Sequence, residues 1–257
     1  MGYTSSPHVH WSTTFLQPSS SSSPDAKIAL IILNQPFSRS LLDRVWNATS
    51  WHACADGGAN RLHDLLVASS DVDSFIPDLI KGDLDSLRED VRGFYETKGV
   101  PVVEDSDQDM TDLMKCLASL EELERCHEGQ RYDVVLLGGL AGRLDQTIHT
   151  LSYLHKLRKT GRRVFAVTDD NIGWVLDSGE HTIAIDHSLL GLTCGLLPVG
   201  VDSTVLSTKG LRWNLDECKS GFDGVMSTSN HFVPGQDVWI RTSRPIWWTA
   251  ELRPLSD

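Results

Sequence analysis

Ile28-Ala29-Leu30-Ile31-Ile32-Leu33 decides the fold, because six consecutive apolar residues predict a strand that is covered on both faces. Strands of this kind are typical of parallel sheets that have helices on either side. The next stretch, residues 40–46, has the apolar spacing of a helix, and Trp51–Ala55 reads as a second strand. The segment therefore begins a series of strand-helix-strand units.

The same alternation of apolar runs and helical spacing continues to about residue 168. Ser86 and Glu89 have the S-x-x-E spacing of a capping box, which predicts a helix with Ser86 as its N-cap. The order of elements predicts an N-terminal doubly wound α/β domain with a mostly parallel sheet. Its further strands are predicted at residues 79–81, 100–103, 134–137 and 163–168.

After Asp170 the pattern changes to short alternating segments separated by Gly, Pro, Asn and Asp, which predicts a C-terminal all-β sandwich domain. We place the α/β domain at residues 25–174 and the β-sandwich at 175–257. Residues 1–24 are polar and rich in serine, and we expect them to form a disordered tail. The predicted strands of the second domain are 181–186, 192–198, 203–208, 224–228 and 238–242.

The composition excludes several classes of partner. The chain has 35 acidic and 23 basic residues, a formal net charge of −12, and such a surface repels nucleic acid. No stretch approaches the ~18 apolar residues of a membrane span. Five cysteines without a C-x-x-C pair indicate neither a disulfide framework nor a zinc site. We therefore expect reduced thiols and a cytoplasmic protein without nucleic-acid or membrane partners.

Aspartates recur where the predicted strands end, and ligands of open α/β sheets bind at those ends. So many carboxylates in one crevice repel each other unless a cation neutralises them, and oxygen ligands favour Mg²⁺ over zinc. Gly57-Gly58 and Gly138-Gly139 allow close approach of the backbone to phosphate. Singly, each aspartate is also typical of a turn or an N-cap, so only their recurrence predicts Mg²⁺-dependent phosphate chemistry. They are Asp56, Asp83, Asp85, Asp105, Asp107, Asp109, Asp112 and Asp145.

Seven blocks of sequence, in the same order, resemble those of the eukaryotic, fungal-type thiamine pyrophosphokinases. Together they cover essentially everything from Ile28 to the C-terminus, so the resemblance does not depend on one motif. The blocks are CADGGANR (54–61), GDLDS (82–86), DQDMTD (107–112), LGGLAGRLDQ (137–146), CGLLPVG (194–200), GLRWNL (210–215) and STSN (227–230).

The resemblance implies a reaction in which the hydroxyl of thiamine attacks the β-phosphorus of ATP, so that thiamine diphosphate forms and AMP leaves. It also implies a homodimer with active sites at the subunit interface. It assigns Mg²⁺ binding to Asp83, Asp85 and Asp112, which are catalytic together with Arg143. ATP or its phosphates are assigned to Asp56, Gln108, Thr111 and Asp145, and thiamine to Trp213, Ser227 and Asn230.

Two other functions remain open from the residues. The same acidic crevice suits a Mg²⁺-dependent phosphohydrolase that acts on a nucleotide, because the metal also activates water. A non-catalytic sensor of thiamine or nucleotide is the third reading, although binding alone does not need the whole acidic set. Individual residues have structural alternatives too: a lone tryptophan such as Trp213 is usually part of a core, and Arg143 is suited to a surface ion pair with Asp145.

Overall fold

The computed structural model describes residues 8–17, 27–68, 71–127 and 129–254. Strands and helices alternate through its first part, and none of the helices in these ranges is long and apolar enough to cross a membrane. The elements are β1 (His8–Trp11), β2 (Ile28–Ile32), α1 (Arg39–Asn47), β3 (Trp51–Ala55), α2 (Gly58–Ala68), β4 (Leu79–Gly82), α3 (Glu89–Thr97), β5 (Val102–Glu104), α4 (Asp112–Cys126), β6 (Asp133–Leu137), α5 (Leu144–Leu157) and β7 (Val164–Val167).

Strand β2 lies in the middle of a parallel sheet with the order β7-β6-β2-β3-β4-β5. Its side chains alternate between the two faces of the sheet, and both faces are buried: Leu30 and Ile32 belong to one core cluster, Ala29 and Ile31 to the other. The order of the strands reverses on either side of β2, which confirms the doubly wound α/β fold.

The sheet continues into the second part of the chain, where β8 pairs with β7 in the antiparallel direction. Ten strands result, in the order β13-β10-β15-β8-β7-β6-β2-β3-β4-β5, and a second sheet has the order β1-β9-β14-β11-β12. Side chains of both sheets share one core cluster, which confirms the predicted sandwich. The later strands are β8 (Asn171–Leu176), β9 (Gly179–Ile183), β10 (Leu190–Leu197), β11 (Thr204–Lys209), β12 (Cys218–Ser220), β13 (Ser227–His231), β14 (Val238–Thr242) and β15 (Ile246–Leu252).

The boundary that we placed between residues 174 and 175 falls inside β8. The change of pattern near residue 170 marks a change of strand direction, because β7 and β8 are neighbours in one sheet. Hydrogen bonds therefore cross the boundary, and the two parts share a sheet.

Part of the predicted disordered tail is folded. Strand β1 pairs in parallel with β9, and Trp11, Phe15 and Leu16 are buried. The Trp11 indole N–H donates to Nδ1 of His181 at 3.1 Å. The prediction of disorder is therefore wrong for residues 8–17, because residues far along the chain supply the burial; residues 1–7 and 18–24 lie outside the described ranges.

The predicted capping box is also wrong, because α3 begins at Glu89 and its N-cap is Arg88. The Ser86 hydroxyl donates to Asp85 at 2.8 Å, and the Ser86 backbone N–H donates to Asp56 at 3.1 Å. Ser86 thus belongs to the loop after β4, where its hydroxyl and its backbone N–H both donate to aspartates.

Candidate active site

Three carboxylates meet at the carboxyl ends of neighbouring strands. Asp56 follows β3, Asp83 follows β4 and Asp112 is the first residue of α4, and one oxygen of each lies within 4.8 Å of the others. We call these residues the acidic group. Oδ1 of Asp56 is buried and has no hydrogen-bond partner among the described residues. A hard cation fits this set, because it would bind the unpartnered oxygen and neutralise the mutual repulsion.

Gly82 makes the close approach of these carboxylates possible. A Cβ at this position would lie 2.6 Å from Cβ of Asp56 and 2.9 Å from Oδ1 of Asp112. Any other residue would push the two acidic side chains apart. The GDLD block of the sequence therefore contributes a space as well as its carboxylates.

Burial and mutual repulsion both act on the acidic group. Burial raises the pKa of Asp56, and the neighbouring Asp112 raises it further. Burial likewise raises the pKa of Asp112, with Asp83 as the second cause. The folded chain thus keeps anionic oxygens together at a cost in free energy, an arrangement that is typical of functional sites.

Sequence reasoning missed a buried lysine behind the acidic group. Lys115 is 1% exposed, and its Nζ lies 3.5 Å from Oδ1 of Asp112. The backbone N–H of Asp83 donates to the same oxygen at 3.2 Å. The sequence carried no signal for it, because Lys115 is two residues from both Leu113 and Leu117 and so falls outside the apolar stripe of α4.

The acidic group differs from the predicted metal set in one member, because Asp85 is not part of it. The carboxylate of Asp85 accepts the Ser86 hydroxyl instead, and its backbone N–H donates to Asp83 at 3.2 Å. Asp56, which we had placed among the phosphate-binding residues, is the third member. The assignment of Asp85 to the metal stays a prediction.

Gln108 and Thr111 lie just before Asp112. Gln108 is exposed in the loop after β5, whereas Thr111 is the N-cap of α4. The Thr111 hydroxyl is buried and makes no hydrogen bond to any described residue. Both remain predicted phosphate-binding residues.

Arg143 and Asp145 lie at the start of α5, where their side chains form two hydrogen bonds of 3.2 and 2.6 Å. Both are exposed, and the neighbouring guanidinium lowers the pKa of Asp145. The preceding loop contains Gly138, Gly139 and Gly142 with φ of 107°, 90° and 83°, a region that favours glycine. A glycine loop before a helix N-terminus, with an arginine in it, suits a phosphate group.

Trp213, Ser227 and Asn230 lie together in the second part of the chain. The Trp213 indole is 52% exposed and lies 5.0 Å from the ring of His231. The Asn230 amide donates to the Trp213 carbonyl at 2.8 Å and accepts from the Trp213 N–H at 3.2 Å. It also donates to the Ser227 hydroxyl at 3.4 Å. Asn230 therefore holds the backbone of Trp213, while the half-exposed indole has the Arg212 guanidinium 4.8 Å from its ring centre.

The acidic group and the cluster around Trp213 lie at strands that are far apart in the sheet order of one chain. Ser227 and Asn230 are on β13, at one edge of the ten-stranded sheet, and Asp56 follows β3, seven strand positions away. Neighbouring strands are about 4.8 Å apart, so the path across the sheet from β13 to β3 is about 34 Å long.

Two family models match the chain: the catalytic domain of thiamin pyrophosphokinase over residues 42–166, and its vitamin B1 binding domain over residues 180–247. The chain belongs to the thiamin pyrophosphokinase family. Thiamine pyrophosphokinase 2 of rice, Oryza sativa subsp. japonica, is 36% identical over 96% of both chains. Thiamine pyrophosphokinase of Saccharomyces cerevisiae is 27% identical over 89% of this chain and 86% of its own.

Solved structures of the thiamin pyrophosphokinase family have the same fold. The crystal structure of the yeast protein matches with a TM-score of 0.84 at 26% identity, over 95% of this chain and 91% of its own. The Candida albicans protein also gives a TM-score of 0.84, at 24% identity, over 96% of this chain and 95% of its own. The eukaryotic resemblance inferred from the sequence blocks is confirmed. The acidic group lies within the range of the catalytic-domain model, and Trp213 and Asn230 within that of the vitamin B1 binding model.

Proposed function

We propose that this chain transfers a pyrophosphate group from ATP to the hydroxyl of thiamine, giving thiamine diphosphate and AMP. Membership of the thiamin pyrophosphokinase family supports the reaction. The observation that carries the proposal is the acidic group, which keeps an unpartnered buried oxygen at the carboxyl ends of adjacent parallel strands. A purely structural aspartate would have found a hydrogen-bond donor there.

The acidic group is the proposed site for Mg²⁺, held by Asp56, Asp83 and Asp112. A Mg²⁺ ion bound there would neutralise charge on the triphosphate, which the carboxylates alone would repel. Arg143 supplies a second positive charge to the phosphates, and Gln108 and Thr111 donate hydrogen bonds to phosphate oxygens. The division of the chain into a nucleotide-binding first part and a thiamine-binding second part belongs to the same proposal.

Thiamine is the proposed ligand of the Trp213 surface. It carries a positive charge and flat rings, and the exposed indole offers a face for both. The Ser227 hydroxyl, which accepts from the Asn230 amide, is the proposed polar contact to the same ligand. Asn230 contributes by fixing the backbone of Trp213.

The chemistry then consists of positioning and charge stabilisation. The thiamine hydroxyl attacks the β-phosphorus of ATP in line with the departing AMP oxygen, and its proton passes to a nearby carboxylate. Arg143 stabilises the negative charge that develops on the transferring phosphates.

A homodimer with shared active sites is part of the proposal. Seven strand positions separate β13, which contacts Trp213, from β3, which precedes Asp56, and this separation supports a site to which two chains contribute. Two copies related by a two-fold axis would place Trp213 of each beside the acidic group of the other.

Mixing two variants tests the shared site. Asp112→Asn and Trp213→Ala are denatured together, refolded, and assayed at a thiamine concentration below the raised KM of the second variant. About a quarter of the wild-type activity should return, because half of the dimers are mixed and each of these has one intact site. If the mixed protein recovers no activity, the acidic group and Trp213 of the same chain form the site, and the shared site is contradicted.

The reaction itself is tested with purified protein, thiamine, ATP and Mg²⁺, followed by chromatography. We expect equal amounts of thiamine diphosphate and AMP. Free phosphate without thiamine diphosphate would support the phosphohydrolase, and binding without turnover would support the sensor. A cytoplasmic location is also proposed, and the buried free thiols of Cys54 and Cys116 support it.

A further inference from the structure

A side-chain amide from outside the sequence blocks holds the loop that carries Arg143. Gln35 lies in the loop after β2 and is half-buried. Its Oε1 accepts the backbone N–H of Gly139 at 2.8 Å, and its Nε2 donates to the carbonyl of Ala141. One amide thus binds both a donor and an acceptor of the same loop.

The shape of the loop is adapted to this side chain. A Cβ on Gly138 would lie 3.3 Å from Cβ and Oε1 of Gln35, and one on Gly142 would lie 3.6 Å from its Nε2. Both glycines also have positive φ, so the loop folds around the amide in a conformation that most residues adopt poorly. The Gln35 amide therefore pairs with backbone N–H and C=O groups of the loop, which in a helix or strand would pair with other backbone groups.

Asn60 makes the same kind of contact to a different loop. Its Nδ2 donates to the Ser86 carbonyl at 2.7 Å, and its Oδ1 accepts the Arg88 N–H at 3.1 Å. The loop that it holds follows Asp83 and Asp85 and precedes α3. Gln35 and Asn60 are thus a matched pair, one for each of two loops.

We propose that Gln35 is a positioning residue, which holds the loop Gly138–Gly142 so that Arg143 meets the phosphates of the substrate. The inference rests on the proposed function. The connection is short, because Arg143 follows the loop directly and is the N-cap of α5. Its position is fixed by the helix on one side and by the Gln35 amide on the other.

Gln35→Glu is the sharpest variant, since it keeps the acceptor for Gly139 and places a carboxylate oxygen against the carbonyl of Ala141. We expect kcat to fall about 10–100-fold, because a small misplacement of a phosphate-binding group has effects of this size. The KM for thiamine should not change. Asn60→Asp removes the corresponding donor from the other loop and is the matched control.

A double-mutant cycle with Arg143→Ala separates positioning from a general loss of structure. If Gln35 acts through Arg143, Gln35→Glu causes almost no further loss in the Arg143→Ala background, whereas Asn60→Asp still lowers kcat there. A loss from Gln35→Glu that is equally large in both backgrounds would overturn the proposal. An unchanged kcat in Gln35→Glu would overturn it as well.

Amide hydrogen exchange gives a readout that does not depend on activity. Gln35→Glu should accelerate exchange in residues 138–147 and leave residues 83–90 unchanged, and Asn60→Asp should do the reverse. Faster exchange throughout the Gln35→Glu chain would mean a structural role and contradict the proposal. If the wild-type protein forms no thiamine diphosphate, the proposed function fails, while the exchange data still show whether Gln35 orders its loop.

Discussion

The acidic group and the Trp213 surface differ in how far the folded chain satisfies its own polar atoms. Oδ1 of Asp56 is buried without a partner in the described residues, and the pKa values of Asp56 and Asp112 are raised. Around Trp213, the amide of Asn230 is fully engaged by the neighbouring backbone and by Ser227. The proposed cation would partner the free oxygen of the acidic group, whereas the polar atoms of Asn230 at the Trp213 surface are already paired within the chain. We therefore expect substitutions in the acidic group to lower kcat, and substitutions at the Trp213 surface to change only the KM for thiamine.

The largest effect is expected from Asp112→Asn, which removes one charge from the acidic group but keeps the shape of the side chain. We expect kcat to fall about 10²–10³-fold at saturating Mg²⁺ and ATP, since one charged group of the site is lost. Steady-state kinetics and a thermal unfolding curve are the measurements. The unfolding curve shows whether the variant is folded. A folded variant with an unchanged kcat would contradict a role of the acidic group in the reaction.

Gly82→Ala should displace the side chains of the acidic group by steric overlap, without changing their charge. The new methyl group would overlap Asp56 and Asp112, so we expect a loss of about 1–3 kcal/mol in the free energy of unfolding, together with a fall in kcat. Gly93→Ala in α3 is the control, because nothing lies within 4 Å of its Cβ position. It should stabilise the protein by about 0.5–1 kcal/mol, measured by urea unfolding. Equal behaviour of the two variants would argue against steric restriction at Gly82.

Trp213→Ala should raise the KM for thiamine about tenfold, the size expected from the loss of a cation–π contact. The KM for ATP and the free energy of unfolding should hardly change, because the indole is 52% exposed. Trp213→Phe, which keeps an aromatic face, should lie between wild type and the alanine variant. A fall in kcat as large as that of Asp112→Asn would remove the distinction between the two regions.

The smallest effect is the dependence of the metal-free protein on pH. Because the pKa of Asp112 is raised, its carboxyl holds a proton more tightly in the folded chain than in the unfolded chain. The resulting stabilisation is fully present below the ordinary value of about 4 and is lost as pH rises through the raised pKa. In thermal unfolding without Mg²⁺, the wild-type Tm should therefore fall more steeply than that of Asp112→Asn as pH rises above about 4.

Within the acidic group, the pKa of Asp56 is raised in part by Asp112, so its contribution falls in the variant too and adds to the difference. Carboxyls outside the acidic group do not obscure it. Glu124 has a lowered pKa, with burial opposing the hydrogen bond from Arg162, and it stabilises the folded chain in the opposite sense. That contribution is the same in both proteins and cancels in the comparison. Parallel Tm curves for the two proteins would mean that Asp112 does not carry the raised pKa.

Local patterns predicted much of the fold. The apolar run of β2 is buried on both faces, as its composition indicates, and the alternation after residue 170 correctly gave the sandwich. Patterns of this kind reveal a strand but not its neighbour, so the pairing of β8 with β7, and hence the shared sheet, was not foreseen. Trp11 was missed for the same reason, since its partners lie far along the chain.

The sequence predicted which residues belong to the candidate site better than it predicted how their side chains are arranged. The blocks located Asp56, Asp83 and Asp112, whereas Asp85, which the resemblance assigns to the metal, lies outside the acidic group and stays a prediction. Side-chain directions depend on the turn after β4, where Leu84 has a φ of 62°. Gln35 carried no signal at all, because one amide in a polar loop is ordinary until its two partners are seen.

The position of β1 has a consequence for synthesis. Trp11 and His181, which it contacts, are separated by 170 residues. At a ribosomal rate of about 5–20 residues per second, the N-terminal strand waits roughly ten to thirty seconds for its neighbour to be translated. Until then, the apolar side chains of the first segment are accessible to chaperones, and β1 has no strand to pair with.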